Sequence, residues 1–197
     1  DIPSSFCSNF TNLTSITLPS SITSIPYHCF YHCRCLKSII IPSNVTSIGD
    51  FAFSHCTNLS EINFPDNVKS IGEFAFDYCT SLTTIFITEK VEYIGKYAFH
   101  RCSRLESFSV STNNPFFESQ DGILYTKNLS KLICCPPRSS IRDFTVPSTV
   151  TSIDHAAFSQ CSSLISINIP STVTSIGECA FFGCNHLLSI EIPESIK

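Results

Sequence analysis

Residues 27–35 read YHCFYHCRC, three cysteines and two histidines in nine positions. Thiolate and imidazole are the usual ligands of zinc. Cys29, Cys33 and Cys35 with His28 and His32 could therefore supply the four groups that a tetrahedral ion requires. His28 and His32 stand four apart, a spacing that would bring both rings to one face of a helical turn long enough to carry them. Whether these groups converge depends on the elements that hold them.

Those elements repeat. VTSIGDFAFSHCTNLSEINFP begins at Val45, and related stretches begin 23 residues apart at Ile22, Val68 and Val91, then after a break at Val150 and Val173. A partial copy, CSNFTNLTSITLP, lies at Cys7 to Pro19, and PESIK begins another. The template is V-x-x-I-G-x-x-A-F-x-x-C-x-x-L-x-x-I-x-I-P. Its last part, such as Leu59-x-x-Ile62-x-Phe64-Pro65, alternates like a short strand closed by proline. Its middle part, Ala52-Phe53-x-x-Cys56, has the spacing of a helical or 3₁₀ turn that buries one side.

One unit cannot bury its own apolar side, but stacked units merge their Val, Ile, Ala, Phe, Cys and Leu columns into one core. The L-x-x-I-x-I kernel and the unit length indicate an α/β solenoid of the leucine-rich repeat class. Short parallel strands are expected on its concave face and short helical turns on its convex face. In this register Cys29 falls in the Ala52 column and Cys33 in the Cys56 column, both inward, whereas His28 matches Phe51, His32 matches His55 and Cys35 matches Asn58 in a turn. YHCFYHCRC thus reads as a decorated repeat. Neither a metal nor a cofactor is expected.

The twelve cysteines divide in the same way. Cys33, Cys56, Cys79, Cys102, Cys161 and Cys184 form one column, where thiols act as small buried hydrophobes and side chains run parallel, so free thiols are expected. Cys7, Cys29, Cys35, Cys134, Cys135 and Cys179 lie off it. The adjacent Cys134 and Cys135 are placed to react or pair, or else are simply strand residues of a hairpin.

That hairpin belongs to a rung extended over residues 111–140. Asp121-Gly122 reads as a turn, and Ile123-Leu124-Tyr125 and Lys131-Leu132-Ile133-Cys134 as alternating apolar runs. The extension either offers a binding face or covers the core where the usual turn is missing.

With 43% hydrophobic and 14% charged residues in 197, the chain fits one compact domain spanning 1–197. A net charge of −4 and dispersed Lys and Arg point away from nucleic acid and anionic lipid. No apolar run approaches the ~20 residues of a membrane helix, so direct membrane insertion by this chain is not expected. It begins at Asp1, lacks methionine and stops inside a repeat at both ends, which suggests a piece of a longer array. Oligomeric state has no signature here.

No catalytic residues are expected, because the outward strand positions contain no histidine and their carboxylates stand on distant rungs. The histidines fall in the convex turns, where a solvated side chain is the usual state. Small hydroxyls and amides dominate the concave face, with Ile40 and Phe86 as apolar anchors. Ile40, Glu61, Asn63, Thr84, Phe86, Ser107 and Ser109 are the candidate ligand-binding residues, suited to an extended polypeptide or a glycan. Five N-x-[ST] triplets, at Asn9, Asn12, Asn44, Asn58 and Asn128, are candidate glycosylation sites in a eukaryotic secretory pathway.

The repeat I-P-S-x-V-T-S-I-G-x-x-A-F-x-x-C-x-x-L resembles the BspA-like leucine-rich repeats of bacterial and protozoan surface antigens. The stretch DGILYTKNLSKLICCPP resembles the hairpin-bearing rung that those proteins often insert. The resemblance covers Phe6 to Lys197. It implies an extracellular, cell-surface protein that adheres to a protein or glycoprotein ligand, such as fibronectin in the host matrix, or mediates contact between cells. It carries no binding residue across, because the matching positions are core. Pro26 and Asp154 depart from the template glycine, and Thr88 and Ser111 from its proline. The alternative function is a non-catalytic spacer array that extends other parts of a surface protein.

Overall fold

Two residues in each V-x-S-I stretch are extended and pair in parallel with their equivalents 23 positions on, Ser24 with Ser47 and Ile25 with Ile48. A computed structural model describes residues 2–197. In chain order its strands are β1 (Ser24–Ile25), β2 (Ser47–Ile48), β3 (Ser70–Ile71), β4 (Thr84–Ile87), β5 (Tyr93–Ile94), β6 (Ser107–Val110) and β7 (Phe117–Gln120). There follow β8 (Ile123–Thr126), β9 (Lys131–Cys134), β10 (Asp143–Thr145), β11 (Ser152–Ile153), β12 (Ser166–Asn168), β13 (Ser175–Ile176) and β14 (Ser189–Ile190).

The result is a β-solenoid of about seven turns, with two parallel ladders rather than one. The Ser-Ile ladder runs β1-β2-β3-β5. The kernel ladder contains the bridge Ile40–Asn63, the pair β4-β6 and the sheet β10-β12-β14. Between the ladders lie the template columns, with Val45, Ile48, Ala52, Phe53, Cys56, Leu59, Ile62 and Phe64 all buried in one rung.

The expected helical turns are absent among the described residues. The A-F-x-x-C segment is a chain of β-turns whose N–H groups alternate in direction. Ala52, Ser54 and Cys56 donate three residues back, to Gly49, Phe51 and Phe53, at 3.1–3.2 Å. Phe51, Phe53 and His55 donate to Glu73, Ala75 and Asp77 of the next rung at 2.7–2.9 Å. A helix would keep all of these donors within its own turn. Releasing every second one requires Phe51 (φ 55°) and His55 (φ 62°) to adopt left-handed backbone, and the same two positions do so in the neighbouring rungs, at His28 and His32 and at Phe74 and Tyr78.

Close stacking explains the glycine column. A Cβ on Gly72 would meet the backbone N of Asp50 at 2.5 Å, and one on Gly95 would meet that of Glu73 at the same distance. Asp154 replaces this glycine where the rung before it is the extended variant, and its carboxylate pairs with Lys131 Nζ of that rung at 2.7 Å.

The variant rung holds a three-stranded antiparallel unit, β7-β8-β9, of which β7 was not apparent from residue pattern. Asp121 (φ 51°) and Gly122 (φ 77°) turn β7 into β8, as a two-residue hairpin requires. β9 then joins β11 in parallel. Leu124 of β8 packs into the core of the first rungs, and Ile123 and Tyr125 into that of the last ones. β8 is therefore buried on both faces and serves as a partition between two cores.

No helix among the described residues is long and apolar enough to cross a membrane. Two substitutions test this architecture by urea unfolding. Gly72→Ala is expected to cost about 1–3 kcal/mol through forced rung separation, and Leu124→Ala about 2–5 kcal/mol through a cavity beside the partition.

Candidate functional site

The groups of YHCFYHCRC do not converge. Cys29 and Cys33 are buried in the core, whereas His28 and His32 occupy the two left-handed positions and turn their rings to the surface. Burial pushes the Cys29 thiol up to about 12 and the Cys33 thiol to about 11, unfavourable for the thiolate that zinc requires. Among the described residues, no three His, Cys, Asp or Glu side chains are grouped to hold a metal.

The cysteine column has a specific partner. Cys56, Cys79 and Cys102 Sγ donate to the carbonyls of Phe30, Phe53 and Phe76, 26 residues earlier, at 3.1–3.2 Å. Each thiol is therefore both a small hydrophobe and a weak donor that ties its rung to the preceding one. All twelve cysteines are free. Cys7 and Cys135 stand in the phenylalanine column, since their N–H groups donate to Cys29 and Ala157 just as Phe30 donates to Ala52. Cys134, its immediate neighbour, packs against the other core.

The left-handed positions build two stacked columns that residue pattern had not revealed. In one, the His28 ring meets Phe51 edge-on at 5.1 Å, and Phe51, Phe74 and Tyr97 then stack at 4.8 and 4.7 Å. In the other, His32, His55 and Tyr78 follow at 4.2 and 4.4 Å, and the Arg101 guanidinium lies 4.6 Å over Tyr78. These histidines are half-buried rather than solvated, and burial holds all three imidazoles below their ordinary value. Arg34 and the facing ring add to this at His32, whereas Asp77 opposes it at His55. His100 is more enclosed still, with Nδ1 3.0 Å from Asp77 Oδ1 and Nε2 buried without a partner. The signal available in the sequence was the recurrence of aromatic residues at these two positions.

The candidate ligand-binding residues do share one surface. Ile40, Asn63, Phe86 and Ser109 form one row across four rungs, and Glu61, Thr84 and Ser107 lie in the adjacent row, with Thr84 paired to Ser107 and Phe86 to Ser109. Six of the seven are exposed and Ser107 is half-buried. Ile40 is 86% exposed and Phe86 48%. A wider groove of about 750 Å³, lined by Arg142, Ile165, His186 and Leu188, lies towards the last rungs and includes none of them.

All five candidate glycosylation sites, Asn9, Asn12, Asn44, Asn58 and Asn128, are exposed. Asn44 uses its amide nitrogen to donate to Ser20 of the preceding rung at 3.0 Å, a structural engagement of the atom that would carry a glycan. Asn128 Oδ1 accepts from Ser130 N and Oγ and holds the loop between β8 and β9.

A family model described as BspA type Leucine rich repeat region matches six copies, over residues 1–121 and 135–197. Among solved structures, the chain is similar to a leucine rich cell surface protein from Faecalibacterium prausnitzii, with 34% identity and a TM-score of 0.78 over 87% of this chain and 51% of that one. It is also similar to a leucine-rich repeat protein from Eubacterium ventriosum, with 28% identity and a TM-score of 0.79 over 93% and 55%. The pneumococcal vaccine antigen PcpA shares the fold, at 24% identity and a TM-score of 0.81 over 93% and 52%. The chain thus spans about half the length of these proteins. No curated protein matches it.

The stacked imidazoles set a pH dependence. Because their folded values lie below 6.5, the unfolded chain binds more protons once pH falls beneath that value, and stability is lost on acidification. The urea midpoint is expected to drop between about pH 7 and about pH 5. A variant carrying both His32→Phe and His55→Phe, which keeps rings in the column, should show a smaller drop.

Proposed function

The chain belongs to the BspA-type leucine-rich repeat family, and we propose that it is a non-catalytic recognition module displayed at a cell surface, binding a protein or glycoprotein on the exposed face of its kernel ladder. The observation that carries this reading is the row Ile40, Asn63, Phe86, Ser109. Two large apolar side chains are held outward on a ladder among the polar side chains of Glu61, Asn63, Thr84 and Ser109. Side chains of that kind, near the middle of a polar patch, are what interface anchors require. The ladder beneath them fixes their positions before a ligand arrives, which lowers the ordering cost of association. The description of the Faecalibacterium prausnitzii relative as a cell surface protein supports the location.

Binding to immobilised matrix glycoproteins at physiological salt is the test. Saturable binding weakened about tenfold by Phe86→Ala, with a smaller loss for Glu61→Ala, is the expected result. Binding that ignores both substitutions would move the site off this face. No binding to any of them would leave the spacer as the better reading.

A further inference from the structure

Six kernel stretches end in proline, at Pro19, Pro42, Pro65, Pro147, Pro170 and Pro193. The two successive stretches between Pro65 and Pro147 end instead in Thr88 and Ser111, just beyond β4 and β6. The substitution alters the backbone as well as the side chains. Ser111 N donates to Ile87 O at 2.9 Å, a bond that proline cannot make. Thr88 O accepts from Asn114 Nδ2 at 2.8 Å, which anchors the departing loop.

Both replacements line a single depression of about 360 Å³, together with Phe86, Asp66, Glu89 and Lys90. Phe86 contributes a half-exposed ring. Asp66 and Glu89 contribute carboxylate acceptors, and Ser111 a hydroxyl. Lys90 Nζ donates to Asn67 Oδ1 at 2.8 Å, which directs that cation to a neighbouring side chain. Thr88 is 3% exposed and forms a closed wall of the depression, its hydroxyl buried without a partner among the described residues.

An apolar ring face edged by acceptors and hydroxyls suits a sugar ring, whose C–H face is apolar and whose edge is a circle of hydroxyls. The volume lies near the lower limit for small-molecule sites, which favours one compact group over an extended chain. Two carboxylates against one ammonium leave the rim negative and disfavour acidic sugars. We propose that this depression is a glycan subsite that takes a neutral hexose or N-acetylhexosamine. The subsite deepens the recognition reading above and rests on it for the source of the sugar, a glycoprotein's glycan.

Titration with methyl galactoside, N-acetylglucosamine and N-acetylneuraminic acid, followed by ligand-observed NMR, tests the chemistry. At least one neutral sugar should bind saturably, and the acidic one about tenfold more weakly. Phe86→Ala and Asp66→Asn should each weaken the neutral sugar about tenfold. Thr88→Val should leave the urea midpoint unchanged or raised, because the buried hydroxyl has no partner among the described residues to lose. Tyr93→Ala, on the Ser-Ile ladder, should change nothing. Absence of saturable binding by both neutral sugars, or binding indifferent to Phe86→Ala, overturns the subsite. Glycoprotein binding that survives enzymatic removal of glycans yet falls with Phe86→Ala overturns the subsite while retaining the recognition face. Free-sugar binding with the expected variant losses, but no glycoprotein binding, retains the subsite and overturns the glycoprotein reading.

Discussion

The backbone hydrogen bond from one rung to the next is the constraint on which this protein depends. In the turn segment alternate N–H groups leave the rung, and both ladders add their own parallel bonds. Rungs are thus held at strand spacing, about 4.8 Å. At that separation a side chain meets its own equivalent above and below. Phe30, Phe53, Phe76 and Phe99 consequently stack at 5.2–5.7 Å inside, and the left-handed positions stack their rings outside. The same closeness dictates glycine wherever a Cβ would strike the previous backbone.

Departures from the repeat are intelligible against this spacing. The turn-to-turn bonds run from Phe74, Phe76 and Tyr78 to Lys96, Ala98 and His100, and resume with Cys135 and Ala157. Between them the variant rung supplies no complete turn, so Tyr97 reaches across to donate to Glu178 at 3.1 Å, and Arg101 lies 5.2 Å over Phe182. Burial, together with Glu178, pushes the Tyr97 hydroxyl up to about 12, so it stays a donor. The proline-free strand ends, the exposed Phe86 and the depression beside it stand on the rungs that lead into this interruption.

Much of this was legible in residue order because a period of 23 converts sequence distance into spatial neighbourhood. The inward columns, the outward row containing Ile40 and Phe86, and the hairpin runs of β8 and β9 all follow from register. The turn conformation did not, because A-F-x-x-C spacing buries one side equally well in a helical turn and in a chain of β-turns. Nothing in the types Phe51 or Tyr78 announces a left-handed backbone, which is adopted so that a neighbouring rung can accept their N–H groups. The Ser-Ile ladder is only two residues wide and leaves no alternation to detect. The places of Cys134 and Cys135 depend on the offset between β9 and β11, which is 21 at Leu132 and Ile153, whereas Cys135 aligns 23 residues from Phe158. The depression beside Phe86 depends on the space left by two missing prolines, a property of shape.

The partition strand β8 has a mechanical meaning. Pulled from either end, a stack of this kind sheds one rung at a time, since each is bonded to its neighbour alone and the bonds of a single rung bear the load. Parallel rungs offer the same resistance at every step. At the variant rung the geometry changes, because β7, β8 and β9 are antiparallel and β8 is anchored in two cores at once. Fraying that travels inward must there break several strand pairings and open both cores together. The insertion acts as a crack stop, a seam in an otherwise uniform stack at which an advancing front must halt or open both blocks at once.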